Sequence, residues 1–166
     1  MDVYLVRHAI AHERSRARWP QDAQRPLTSA GKQKFRKAAR GLARLVPKSA
    51  QVFTSPYVRA RDTASILVAA MEVRKATERP ELAAGEPARK TFEFLRTLKS
   101  KAVVLVGHEP NLSTLLAAAI IGEGARLKIR FKKGGAACLE FGGSVQPGHA
   151  TLKWLVAPRA LRALER

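Results

Sequence analysis

Val3-Tyr4-Leu5-Val6 is an unbroken apolar run, β-branched and aromatic, that ends abruptly at Arg7-His8. With no polar position on either face, it predicts a strand buried on both sides, its last residues emerging at the edge of a sheet. Residues 9–26 are polar and arginine-rich, include two prolines, and predict a long loop. Thr28 stands as the N-cap of a helix in which Phe35, Ala38, Ala39, Leu42, Ala43 and Val46 recur at helical spacing. Lysines and arginines cover most of its remaining surface, and Pro47 stops it. The alternation then repeats. Residues 51–55 read as a second strand, and Pro56 opens a helix with Ala60, Ala64, Leu67 and Met71 on one face. Residues 78–86 form a loop, Phe92, Leu95 and Leu98 mark a short helix, and residues 102–106 are the most strand-like segment in the chain. Gly107-His108-Glu109-Pro110 is a turn before a helix carrying Leu112, Leu115, Leu116, Ala119 and Ile120. Strands alternating with helices require crossover connections, and so a largely parallel sheet. Residues 136–141 and 151–156, separated by a Gly/Pro-rich stretch, read as two later strands, one a candidate antiparallel strand at the sheet edge. No linker, repeat or low-complexity segment divides the chain, so a single domain over residues 1–166 is expected.

Composition narrows the function classes. The 166 residues, 46% apolar and 27% charged, suffice for a sizeable core and exclude wholesale disorder. The charge is unusual: 31 Lys and Arg against 13 Asp and Glu give +18, more than solubility needs. Such a surface attracts polyanions without any specific site. It suits the steering of an acidic phosphoprotein or polyphosphate-like substrate, or else nucleic-acid binding. The second ranks lower, because no helix-turn-helix, zinc finger or aromatic RNA-binding strand is present. The few aromatic residues also do not interleave with the basic clusters at Arg14, Arg16, Arg18 and at Lys128, Arg130, Lys132, Lys133. The single cysteine, Cys138, allows no internal disulfide or multi-cysteine metal cage and fits a reducing compartment. The opening MDVYLVRHA lacks the positive region and long apolar stretch of a secretory signal, and the apolar-rich run at 112–121 is too short to span a bilayer. A cytoplasmic setting without membrane contact is therefore expected.

In an open α/β sheet, ligands bind beyond the carboxyl ends of the strands. Three predicted strands end in reactive residues: Arg7-His8, Ser55 with Arg59 a helical turn later, and His108. Arginine forks match phosphate oxygens, a neutral imidazole is a competent nucleophile toward phosphorus, and a second imidazolium offsets charge on the phosphoryl group. Two arginines and two histidines at one edge thus predict a phosphoryl pocket that needs no metal and no cofactor. Other motifs carry less. Ser55 lacks the Gly-x-Ser-x-Gly of a nucleophile elbow, Gly31-Lys32 lacks the rest of a P-loop, and Asn111 and Ser113 read as capping residues.

Arg7-His8-Ala9, Pro26-Leu27-Thr28-x-x-Gly31, Ser55-Pro56-Tyr57-Val58-Arg59-Ala60-x-x-Thr63 and Val106-Gly107-His108, in that order, resemble the histidine phosphatase superfamily. The short length and motif order resemble its SixA-like phosphohistidine phosphatase branch, although Ala9 stands where the usual motif has glycine. The resemblance implies a phosphoglycerate mutase-like fold, a three-layer α/β sandwich whose mostly parallel sheet has helices on both faces. It implies His8 as the nucleophile, passing through a transient phosphohistidine, with Arg7, Arg59 and His108 clamping the phosphoryl oxygens. Relatives that cleave phosphomonoesters carry a glutamate in the loop before the last of these motifs to protonate the alkoxide. Glu81, four residues before Gly85, has that spacing, and Glu86 is nearby. A phosphoramidate has a better leaving group, so Glu81 is either a proton donor or a loop carboxylate. The activity expected is removal of phosphate from phosphohistidine in a protein partner, a histidine-containing phosphotransfer domain being one candidate. The alternatives are a phosphatase of small phosphomonoesters or polyphosphate using Glu81, and a non-catalytic basic protein that binds polyanions.

Overall fold

The apolar run at residues 3–6 lies at the centre of a sheet. In the computed structural model, which describes residues 1–165, β1 (Asp2–Arg7) pairs in parallel with β4 (Ala102–Gly107) and antiparallel with β5 (Ala136–Phe141). β2 (Gln51–Thr54) and β3 (Ala76–Glu78) extend the parallel side, and β6 (Ala150–Val156) pairs antiparallel with β5, giving the order β3-β2-β4-β1-β5-β6.

Successive side chains of a strand face opposite ways, so an apolar run without alternation needs cover on both sides. Tyr4 and Val6 of β1, with Val104 and Val106 of β4, pack with Phe35 and Leu42 of α1 (Ser29–Ala43), Leu67 of α2 (Val58–Met71) and Leu161 of α5 (Pro158–Ala163). Val3, Leu5, Val103 and Leu105 face the other way, onto Phe92 and Leu95 of α3 (Ala88–Arg96) and Leu115 and Leu116 of α4 (Asn111–Ile121). The result is the expected three-layer α/β sandwich, its helices divided between the two faces. Gly31 lets α1 dock against the chain that leaves β1: a β-carbon there would come within 2.1 Å of the Ile10 carbonyl oxygen. Thr28 caps the helix, its Oγ1 accepting from the Gly31 N–H at 2.9 Å.

Several local expectations are corrected. Pro56 does not open α2, which begins at Val58; Ser55 Oγ accepts from the Tyr57 N–H at 3.3 Å and holds residues 55–57 as a bend. α1 ends at Ala43, short of Val46, because the chain tightens into i→i−3 bonds at Arg44 and Leu45, although Val46 stays buried. β3 lies in residues given no element, just ahead of the stretch read as loop and overlapping it at Glu78: three largely exposed residues paired along β2, with no hydrophobic signal of their own. α5 was likewise not anticipated; among its six residues only Leu161 is buried. β5 as well as β6 runs antiparallel to its neighbours, so the mixed part of the sheet is wider than one edge strand. Among the described residues, no helix is long and apolar enough to cross a membrane.

Candidate active site

The ends of β1, β2 and β4 are tied together by backbone bonds that continue past the strands. The His8 N–H donates to the Gly107 carbonyl at 3.0 Å, and the Ser55 N–H to that of Val106 at 3.0 Å. From the opposite side the Arg7 N–H donates to the Gly135 carbonyl at 3.1 Å, and the Gly134 N–H is shared between the Arg7 and His8 carbonyls. Thr63 links the first motif to the third: its Oγ1 accepts from the Ala9 N–H at 3.0 Å and donates to the Arg59 carbonyl at 2.7 Å.

On this platform the His8 and His108 rings lie 5.2 Å apart between centroids, tilted by 54°. His8 Nδ1 is 2.7 Å from the Ala9 carbonyl. A carbonyl only accepts, so Nδ1 carries the proton and Nε2 keeps its lone pair. His108 Nε2 is 2.7 Å from Ser55 Oγ, which already accepts from the Tyr57 N–H. With the Ser55 hydroxyl donating to Nε2, the His108 ring proton sits on Nδ1. Tyr57 lies 4.9 Å from the His108 ring, and the Arg59 guanidinium sits 4.9 Å from the centre of the Tyr57 ring.

The arginines are fixed by their outer nitrogens. Arg7 Nη1 donates to the Phe131 carbonyl at 2.6 Å. Arg59 Nη1 donates to the Asp22 carbonyl at 2.8 Å, and its Nη2 pairs with Asp22 Oδ2 at 3.0 Å. The Nε of both arginines and Nδ1 of His108 are buried without a partner among the described residues. Buried donors are nearly always satisfied, so the two guanidinium Nε groups near one histidine pair suit an anion, with His108 Nδ1 a third donor in the tautomer that receives the Ser55 hydroxyl at Nε2.

Burial, above all, pushes both histidines down to about 3. For His8 it acts against the Ala9 hydrogen bond and is reinforced by Arg59, Arg7 and Lys133; for His108 the charges of His8 and Arg59 add to it. Both rings are neutral at neutral pH. Burial also lowers Arg7 and Arg59, opposed by Glu109 and Asp22 respectively, and both guanidiniums stay charged. Burial raises the Asp22 carboxyl, but its hydrogen bond from Arg25 and the charges of Arg59, Arg25 and Arg14 hold it below its ordinary value.

A consequence for stability follows. Between the ordinary histidine value of 6.5 and the folded value of about 3, the unfolded chain binds protons that the folded chain excludes. Stability contributed by the neutral rings is therefore complete above 6.5 and is lost as pH falls, by about 1 kcal/mol per pH unit for each histidine. Urea unfolding at pH 7 and 5.5 should show this loss, reduced by about half in His108→Gln. An unchanged slope in that variant would contradict the assignment.

The structure thus brings Arg7, His8, Arg59 and His108 together. Glu81 is held to one side: its Oε1 accepts from Arg79 Nη2 at 3.0 Å, and its Oε2 is buried without a partner among the described residues. It shares the wall of a small internal cavity with His108. Glu86 pairs with Lys90 at 2.8 Å. Asn111 is not a cap, since it donates to the Ala83 and Glu86 carbonyls and accepts from the Gly85 N–H, stapling that loop to α4. Nor does Ser113 act as one; Glu109 does, accepting from the Ser113 N–H at 3.2 Å and hydroxyl at 2.6 Å. Sequence reasoning passed over Asp22, Phe131 and the glycine pair at 134–135, and read Lys132 and Lys133 only as part of a basic cluster. Asp22 is one of two acids in an arginine-rich loop, and the glycine pair after Lys132-Lys133 marks a close backbone approach. Both were available signals. Burial and the charges of Arg7, Arg25 and Arg59 lower Lys133, which places it among the cations of the site.

Residues 3–96 match the model of the Histidine phosphatase superfamily (branch 1). Over 156 residues the chain is 32% identical to an uncharacterized protein of Picosynechococcus sp. (strain PCC 7002), with 90% of each covered. Its structure is similar to that of the protein histidine phosphatase SixA complexed with tungstate, at 25% identity and a TM-score of 0.82, covering 97% of this chain and 99% of that one. A mutant phosphoserine phosphatase from Entamoeba histolytica, in complex with phosphoserine, shares the fold at 14% identity and a TM-score of 0.70, with 95% of this chain and 98% of that one covered.

Proposed function

The chain belongs to the histidine phosphatase superfamily and is a phosphatase; we propose that it removes the phosphoryl group from phosphohistidine in a protein, through a covalent intermediate on His8. One observation carries this reading: the bond from His8 Nδ1–H to Ala9 leaves Nε2 as a neutral nucleophile on a ring 5.2 Å, centroid to centroid, from that of His108 and within the field of Arg59 and Arg7. Similarity to a protein histidine phosphatase that binds tungstate, a tetrahedral oxyanion, supports it.

In the first step His8 Nε2 attacks phosphorus, the P–N bond to the substrate ring breaks, and its electron pair returns to that ring. The Nε groups of Arg7 and Arg59 and Nδ1–H of His108 donate to the phosphoryl oxygens, in positions fixed before substrate arrives. Water then attacks phosphorus, the bond to Nε2 breaks, and dihydrogen phosphate leaves with both protons of that water. His8 returns to its starting tautomer.

A second reading keeps the nucleophile and takes small phosphomonoesters or polyphosphate as substrates, with Glu81 as general acid. What favours it is the unpartnered Glu81 Oε2 and the cavity wall shared with His108. Proton donation is worth about 10²–10⁴-fold for a poor leaving group. If no acid serves the site, kcat/KM on a phosphohistidine peptide should exceed that on an alkyl phosphate by at least about 10²-fold. In that case Glu81→Gln leaves both rates unaltered. Loss on the ester alone would assign Glu81 the donor role. Absence of turnover on either substrate, together with salt-dependent polyanion binding that survives His8→Ala, would leave only the basic binding protein.

A further inference from the structure

A cavity of about 560 Å³ has Trp19, Asp22, Tyr57 and Glu109 in its wall, and it borders the site through neighbours of the four proposed phosphoryl-binding residues. Each of the last three also touches or adjoins the site: Tyr57 lies against His108, Asp22 holds Arg59, and Glu109 follows His108 in the chain and acts electrostatically on Arg7. The space is that of a small-molecule pocket, far more than a phosphoryl group needs. A group attached to phosphorus has room there, beside Tyr57 and Glu109.

The wall has an uncommon composition for a protein with net charge +18, because two carboxylates stand in it beside two aromatic rings. Asp22 is committed, its oxygens taken by Arg59 Nη2 and Arg25 Nε at 3.0 and 2.8 Å. Glu109 is held from the α4 side only, each oxygen accepting one bond from Ser113, so lone pairs remain on both. Trp19 contributes an indole Nε1–H that is buried and lacks a partner among the described residues. Arg14 and Arg16 complete the rim, and the Arg14 side chain is 81% exposed.

We propose that this cavity is a leaving-group subsite for a protonated heteroaromatic ring, with Glu109 accepting from the ring N–H and Trp19 and Tyr57 supplying ring faces. The inference rests on the phosphohistidine reading and says how the site selects it. A phosphorylated imidazole protonated at the nitrogen remote from phosphorus is already a cation. When the P–N bond breaks, the electron pair neutralises the ring, which departs as imidazole with no proton transferred at the breaking bond. Carboxylates and aromatic faces both stabilise such a cation before it leaves. An alkoxide needs the opposite, a proton delivered to the bridging oxygen. Asp22 is a poor source of it, since its arginine partners keep it ionised. In this subsite Glu109 serves as an acceptor through the lone pairs that Ser113 leaves open, which favours phosphoramidates of aromatic rings over alkyl esters.

Three substrates separate the parts: a phosphohistidine peptide, phosphoramidate (an amine leaving group without a ring) and p-nitrophenyl phosphate (a ring without a cation). Glu109→Gln should lower the ratio of kcat/KM for phosphohistidine to that for p-nitrophenyl phosphate by about tenfold. Trp19→Leu, at the other wall, should lower the ratio of phosphohistidine to phosphoramidate by about tenfold. Thermal unfolding of each variant verifies that it is folded, and the ratios cancel any uniform loss of active protein. An equal fall on all three substrates overturns the subsite and leaves Glu109 as a positioning residue for Arg7. Should the wild-type protein cleave p-nitrophenyl phosphate but no phosphohistidine peptide, the phosphohistidine reading itself is overturned.

Discussion

Replacing His8 with alanine should lower kcat by at least about 10⁴-fold on any phosphorylated substrate, because His8 is the proposed nucleophile and nothing nearby can assume that role. His108 cannot substitute: its Nε2 is engaged by Ser55. The variant should remain folded, since His8 is held by backbone bonds of Arg7 and His8 that do not depend on the imidazole. Rapid quenching of the wild-type reaction under acid-free conditions, followed by peptide mass spectrometry, should place the phosphoryl group on His8. Phosphate on a different residue, or steady turnover by His8→Ala, would overturn the covalent route.

Arg59→Ala should show the second largest loss, about 10³-fold in kcat/KM, together with about 1–2 kcal/mol of stability. Two roles meet in this side chain. Its Nε faces no protein acceptor, while Nη1 and Nη2 hold the Asp22 carbonyl and carboxylate and so anchor the arginine-rich loop. The stability loss stays below that of a fully buried pair because the Asp22 side chain is 38% exposed. Arg59→Lys separates the roles. A lysine can still meet Asp22 and recover part of the stability, but a single ammonium cannot serve Asp22 and a phosphoryl group with the geometry of a planar fork. Denaturation midpoints and kcat/KM of the two variants together test this. Recovery of activity by lysine in step with stability would reduce Arg59 to an anchor for the loop.

Where the reading from sequence succeeded, the signal was local. The run Val3 to Val6 has no alternation, so it had to be covered on both faces, and it is the sheet's central strand. Thr28 and Gly31 sit three residues apart because one caps the other's N–H, a relation contained within one helical turn. The four site residues were visible for a similar reason. Each lies at the end of a strand or in the first turn of the following helix, and parallel strands deliver such positions to one edge. β3 escaped because its pairing, not its composition, makes it a strand, and α5 because it buries a single residue. Asn111 and Ser113 were misjudged because capping is a short-range inference, while Asn111 spends its amide on a loop 25 to 28 positions away in the chain.

Hydrophobic periodicity and motif order determined the layers, the parallel half of the sheet, and which arginines and histidines would meet, since those properties follow from chain direction and from which faces must be hidden from water. Only the folded chain decided how each of them is held there. The His8 tautomer depends on the direction of the Ala9 carbonyl, the orientation of Arg59 on Asp22, and the seating of Arg7 on Phe131, 124 positions along the chain. Hydrogen bonds select geometry over distances of about 3 Å, and no pattern along a sequence reports which distant backbone atoms will come that near.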